Sequence, residues 1–404
     1  MSSQLLSHSP DLSQLVEEGY ELIFKSSMLL VGVPYVNRQR EVTRGFIVSS
    51  LVTDGDHTAS PVIDHTIRFI GATGAPDDQP CDSDGVPLTA LMHEPTGPLN
   101  VGTGLVASCG FSQKPVDTGT YANYYDKVTT YAGIFLTEVH QIDPTARAQT
   151  FMPVAIDDDV HRYFDSATSR AKIGAVTDRT RGLRIAIVGL GGTGSYILDA
   201  VAKTHVTEIH LYDSDEFQAH NAFRAPGAVE LETFRERPLK VNHHQKIYDA
   251  LHTGVTAHPF AVDENSVEEL RGLDFVFVSV DAGPVKKLII DKLHEFRVAF
   301  VDTGMGIEQK DSSLGGIIRT TRIAPGTVDQ TWIDENFSYA AVEPGIYDEN
   351  IQVAELNMLN AALAVIAWKK HIGFYRDYGH EIEGNYTIDG NRISNTKADE
   401  HGED

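Results

Sequence analysis

The run "RIAIVGLGGTGSYILDAVAKTHVTEIHLYD", residues 184–213, constrains the fold more than any other segment. An apolar stretch of strand length ends among Gly189, Gly191, Gly192 and Gly194, and a helical pattern opens near Thr193. Glycine is needed at such a turn because the chain doubles back tightly and its backbone must approach a ligand with no Cβ in the way. The amides of the helix's first turn then face an anion. A second apolar stretch, "EIHLYD", ends in Asp213, where a carboxylate can accept hydrogen bonds from ribose hydroxyls. Together these features predict a nucleotide-binding βαβ unit, and they serve NAD and ATP equally.

Two more apolar strands, "DFVFVSV" and "VAFVDTG", follow with helical segments between them. Short, continuously apolar strands alternating with helices indicate a parallel sheet covered on both faces. The fold class expected for residues 177–394 is therefore α/β, a Rossmann-like, mostly parallel sheet with helices on both faces. Residues 1–176 read as an α+β domain. A helix is expected around "LSQLVEEGYELIF", strands at "GFIVSSLV" and "HTIRFIGA", and a second helix across "YANYYDKVTTYAGIFLTEVHQI". Residues 395–404 read as a disordered acidic tail. The apolar run "LNMLNAALAVIAWKK" falls short of the ~18 residues a membrane span requires. It also carries two asparagines, and reads as a buried helix.

Composition narrows the partners. A formal net charge of −24 over 404 residues repels nucleic acid and anionic membranes alike. Two cysteines, Cys81 and Cys109, supply neither a disulfide framework nor a four-ligand zinc site, so no structural zinc is expected. The N-terminus lacks the basic start and apolar run of a signal peptide, and a cytoplasmic location is expected. His57 and His65, even with Cys81 or His93 added, match no metal-ligand spacing and read as loop and strand residues. Cys81, in "QPCDSDG", is the one candidate thiol for a covalent step; Cys109 reads as core.

The choice between the two nucleotides lies beyond Asp213. "DSDEFQAHNAFR" places Asp213, Asp215, Asn221 and Arg224 on the loop that leaves the second strand, within reach of phosphates. "RPLKVNHHQKIYDAL" offers Lys240 at the start of a helix, and "FVFVSVDAGPVKK" ends a buried strand at Asp281, where a carboxylate can hold Mg²⁺. In order, Gly189 to Gly194, Asp213 with Asp215, Asn221 with Arg224, Lys240, and Asp281 with Lys286 resemble the adenylyltransferase family of ThiF, MoeB and the adenylation domain of ubiquitin-activating enzymes. The resemblance covers roughly residues 181–320. "HNAFRAPGA" and "FVDTGMG" are most similar to a bacterial branch with an uncharacterised N-terminal domain, associated with ubiquitin-like conjugation loci.

The resemblance implies ATP- and Mg²⁺-dependent adenylation of the C-terminal carboxylate of a ubiquitin-like or sulfur-carrier protein, with release of pyrophosphate. It assigns catalysis to Arg224, Lys240, Asp281 and Asn221, with Mg²⁺ at Asp281. Nucleotide binding falls to Gly189, Gly191, Gly192, Thr193, Gly194, Asp213 and Asp215. It also implies a homodimer in which an arginine, Arg170 first and Arg162 second, reaches a neighbouring ATP site. A downstream conjugating protein is a further candidate partner. "VDTGMG", with Asp302 and two glycines, is a candidate guide for the substrate's tail, or a simple turn. Two departures stand out: Ala225 follows Arg224 where the family often has glutamine, and no cysteine follows Cys109. Adenylation is thus implied without a thioester relay in this part of the chain. The competing readings are an NAD-dependent oxidoreductase, a non-catalytic nucleotide-binding scaffold, and activation of a small molecule or a tRNA base. The first accounts for Gly189 to Asp213 and leaves Asn221, Arg224, Lys240 and Asp281 without a task.

Overall fold

A computed structural model describes residues 2–397 apart from 26, 95–96, 101–104, 153, 155–159, 164, 172, 282, 338 and 340–350. The chain forms two compact units, Met1–Gly174 and Ala175–Asp404.

The first unit is an antiparallel sheet packed on a helix. Leu22–Lys25, Met28–Val36, Val42–Ser50, Thr66–Ile70, Cys109–Ser112 and Met92–Glu94 lie side by side in that order. The helix Tyr124–Ile142 starts where Asn123 caps it, its side chain accepting from the Asp126 amide at 2.9 Å. Its inner face meets the sheet through edge-to-face rings, with Phe135 at 5.3 Å from both Phe69 and Phe111. The helix expected around "LSQLVEEGYELIF" is shorter than read: it spans Pro10–Glu17, and Leu22–Lys25 is a strand. Gly19 takes φ +91°, a left-handed conformation that ends a helix and that glycine adopts at little cost.

The second unit carries an eight-stranded mixed sheet. In chain order its main elements are β1 (Arg184–Val188), α1 (Gly192–Val201), β2 (Glu208–Tyr212), α2 (Lys240–Tyr248), β3 (Val255–His258), β4 (Phe275–Val278), α3 (Pro284–Phe296), β5 (Ala299–Lys310), β6 (Ser313–Ile323), α4 (Ala354–His371), β7 (Glu381–Thr387) and β8 (Arg392–Lys397). The strands lie in the order β3-β2-β1-β4-β5-β6-β7-β8. The first five pair in parallel and form the expected Rossmann-like half. From β5 onward the pairing is antiparallel, through a long hairpin whose register runs from Phe300↔Ile323 to Lys310↔Ser313. One core cluster includes Ile187, Leu198 and Trp368, and a second includes Val276, Ile289 and Phe300, so apolar packing covers both faces. Residues 395–397, read from the sequence as tail, complete β8; residues 398–404 lie outside the described ones.

Lys127 is fully buried in the first unit, its ammonium donating to Ser49 Oγ at 2.8 Å and to the Asp64 carbonyl at 2.6 Å. Burial lowers its pKa to about 8, against the attraction of Asp64. An unfolded lysine titrates near ~10.4, so above about pH 8 the unfolded chain binds more protons and stability rises with pH. Denaturant unfolding of the first unit should show stability climbing from about pH 8 to about pH 9.5, with the climb lost in Lys127→Met. A flat wild-type profile would contradict this assignment.

Candidate nucleotide and substrate site

The site forms at the carboxyl ends of the parallel strands, where β1 gives way to the glycine turn and α1 begins. Gly189 has φ +94°, and a Cβ there would lie 2.3 Å from the Ser279 carbonyl oxygen. At Gly194 a Cβ would lie 1.9 Å from the Gly189 carbonyl oxygen. The turn is thus packed so closely on itself and on the end of β4 that side chains are excluded at both positions.

Asp213 ties this turn to the next loop. Its Oδ2 accepts from the Leu190 amide at 2.7 Å and its Oδ1 from the Asp215 amide at 2.8 Å. Each carboxylate oxygen keeps a further lone pair, so capacity for ribose hydroxyls remains. Lys240, the first residue of α2, is buried and places Nζ 2.6 Å from Asp215 Oδ2 and 3.5 Å from Asp213 Oδ2. One turn on, His244 is pushed down to about 3 by burial and stays neutral, so it adds no charge behind the ammonium.

Asn221 lies in the short helix Ala219–Ala222 of the following connection and Arg224 just beyond it, where the Arg224 amide donates to the Asn221 carbonyl at 3.1 Å. Asn221 Oδ1 accepts from the Gln218 amide at 2.9 Å, which leaves its Nδ2 buried with no partner among the described residues. Arg224 Nε is likewise buried and unpartnered. Burial pulls the Arg224 guanidinium below its ordinary value, and Asp281 opposes that pull. Two orphaned donors on one loop leave room for an acceptor that the protein does not supply.

Beside the turn opens a cavity of about 610 Å³, lined by Thr193, Asp281, Gly304, Gly306, Arg319 and Asn360 among others. Its far wall is the β5–β6 hairpin, and the glycines of "VDTGMG" form part of it. A Cβ on Gly306 would meet only the Ile317 carbonyl oxygen, at 4.0 Å, so the backbone is open there, whereas Gly304 lies against the Arg319 side chain. Lys286 and Arg319 also line the cavity, with Lys286 Nζ 2.6 Å from Asp302 Oδ1 and Arg319 Nη2 3.5 Å from Asp302 Oδ2. Burial drives the Asp302 carboxyl upward while Lys286 and Arg319 pull it back. Lys286, counted with Asp281 in the sequence motif, therefore directs its charge at Asp302.

Two side chains of this site carried no motif in the sequence. Asn357 Oδ1 accepts from the Thr193 hydroxyl at 2.9 Å, and Asn360 Nδ2 donates to the Gly304 carbonyl at 3.0 Å. Both are buried on α4, three residues apart on one face of a mostly apolar helix. Such a pair needs partners, and that requirement was the available signal. Arg170 falls on the helix Ser166–Ala171 of the first unit, its side chain outside the described ones, and Arg162 is exposed in the same unit.

The cysteines do not present a nucleophile. Cys81 is buried and its Sγ donates to the Gln79 carbonyl; burial pushes its thiol up to about 11 and that of Cys109 up to about 12. This corrects the sequence reading of Cys81 as the candidate thiol, because a buried thiol held protonated is inert at neutral pH. His57 lies 3.2 Å from Asp56, and His93 lies 3.4 Å from Glu94. Among the described residues no helix is long and apolar enough to cross a membrane.

Gly194→Ala should cost at least ~3 kcal/mol, the upper end of what overpacking costs, because backbone rather than a flexible side chain must yield. Thermal unfolding of the second unit reads this, and a variant as stable as the wild type would refute the tight turn.

Residues 10–166 match a domain of unknown function, DUF6791. Residues 168–309 match the ThiF family. No curated protein matches the chain. Among solved structures, E. coli MccB with ATP is similar at 15% identity, over 58% of this chain and 70% of that one, with a TM-score of 0.43. The microcin C7 biosynthetic enzyme MccB in complex with N-formylated MccA is similar at 16% identity over 58% and 70%, with a TM-score of 0.45. Selenomethionine PaaA is similar at 15% identity over 67% and 88%, with a TM-score of 0.46. The glycine turn, its strands and the loops they carry thus lie in a ThiF family domain at residues 168–309, preceded by a DUF6791 domain at residues 10–166.

Proposed function

We propose that this protein adenylates the C-terminal carboxylate of a ubiquitin-like or sulfur-carrier protein at the expense of ATP. The observation that carries this reading is the pair of orphaned buried donors, Asn221 Nδ2 and Arg224 Nε, on a loop beside the glycine turn. Buried donors left bare are costly unless an anion completes them, and a polyphosphate does so.

The reaction is an in-line displacement. A carboxylate oxygen bonds to the α-phosphorus, the bond from that phosphorus to the pyrophosphate oxygen breaks, and an acyl adenylate and pyrophosphate result. The nucleophile is already ionised near neutral pH, so no general base is required. The protein's task is to hold two anions together in line. Arg224 and Lys240 offset phosphate charge, Asn221 donates to a phosphate oxygen, and the α1 amides face the same group. The open backbone at Gly306 leaves room for an extended tail to lie along the hairpin toward the turn.

Asp281 fits a magnesium ion, since its carboxylate lines the cavity and Mg²⁺ is held by one or two carboxylates together with water and phosphate oxygens. When bound, the ion stabilises charge on the departing pyrophosphate.

ATP with Mg²⁺ should raise the melting temperature of the protein and NAD should not; the reverse would favour an oxidoreductase. With the cognate acceptor present, ATP–pyrophosphate exchange should fall by about 100- to 1000-fold in Arg224→Ala, the usual loss for removing a charge-stabilising donor. In Asp281→Ala exchange should be abolished. Undiminished exchange in either variant would remove that residue from the mechanism.

A further inference from the structure

The hydroxyl of Thr193 has its hydrogen committed inside the protein. Asn357 Nδ2 donates to the Val353 carbonyl at 3.1 Å, which fixes the amide: turned over, two oxygens would face each other. Its Oδ1 therefore faces Thr193 and takes the hydroxyl proton at 2.9 Å. The asparagine reaches that far only because residue 192 is glycine, where a Cβ would lie 2.4 Å from Asn357 Cγ. Thr193 Oγ1 consequently offers lone pairs, and no proton, to the cavity that it lines together with Asp281. A phosphate oxygen gains nothing from such a group, whereas a hard cation does.

We propose that Thr193 Oγ1 is a second protein ligand, with Asp281, for the divalent cation that accompanies ATP, and that Asn357 is the positioning residue that keeps it an acceptor. The inference rests on the nucleotide reading above and adds the two residues that tune its metal dependence. A hydroxyl in the first turn after a glycine loop suits this role, because triphosphate and cation arrive there together.

The test is calorimetric binding of a non-hydrolysable methylene analogue of ATP to the full chain, with Mg²⁺ and with chelator. In the wild type Mg²⁺ strengthens binding. Thr193→Val should lose most of that gain, and Thr193→Ser, which keeps the hydroxyl, should retain it. Asn357→Leu should cut the gain by about 10- to 100-fold, the usual effect of removing the partner that orients a metal ligand. Metal-free binding in that variant should hold or strengthen, since the released hydroxyl can donate to a phosphate. A merely structural asparagine would weaken both forms equally, and that result would overturn the proposal, as would an intact Mg²⁺ gain in Thr193→Val. A wild-type chain that binds no nucleotide would overturn the proposed function along with this inference; the variant results bear on this inference alone.

Discussion

The second unit's site hangs from one carboxylate. Asp213 accepts a main-chain hydrogen bond on each oxygen, one from the glycine turn and one from the loop that leads toward Asn221 and Arg224. These are charge-assisted bonds to backbone, stronger than neutral ones, and they fix two loops at the ends of neighbouring parallel strands. Lys240 closes the knot from a third element, α2, by lying against both Asp213 and Asp215. The result is a cluster of two carboxylates around one ammonium.

A second organiser works from the opposite side. The helix α4 places Asn357 on the glycine turn and Asn360 on the β5–β6 hairpin, so one rigid element sets both walls of the cavity. Buried amides are costly unless satisfied, and here each bonds to a group that lines the cavity. The hairpin is braced in turn by the Lys286–Asp302 ion pair, where a fully buried carboxylate is kept close to two cations. Removing one partner of such a group would strand the rest in a low-dielectric interior.

The first unit contributes no such chemistry from its thiols, which burial holds protonated. Its aromatic core and antiparallel sheet make it a folded unit in its own right. The side chains proposed above for adenylation fall within residues 175–404, and neither Cys81 nor Cys109 is suited to a covalent carrier step.

The sequence by itself determined the strands β1, β2 and β4, the glycine turn with α1, the placement of Asp213 directly after β2, and Lys240 as the opening residue of α2. All are local: apolar period, turn chemistry and helix starts act over a few residues. Only the tertiary structure decided the antiparallel half of the sheet, the bond between Lys286 and Asp302, and the reach of Asn357 to Thr193 across 164 positions. Those depend on which distant segments share a wall, and hydrophobic period is blind to that. The early helix erred for a related reason: Gly19 in a left-handed conformation and the pairing of Leu22–Lys25 with Met28–Val36 outweighed a local helical pattern. Sequence named the charged groups, and packing decided which of them face one another.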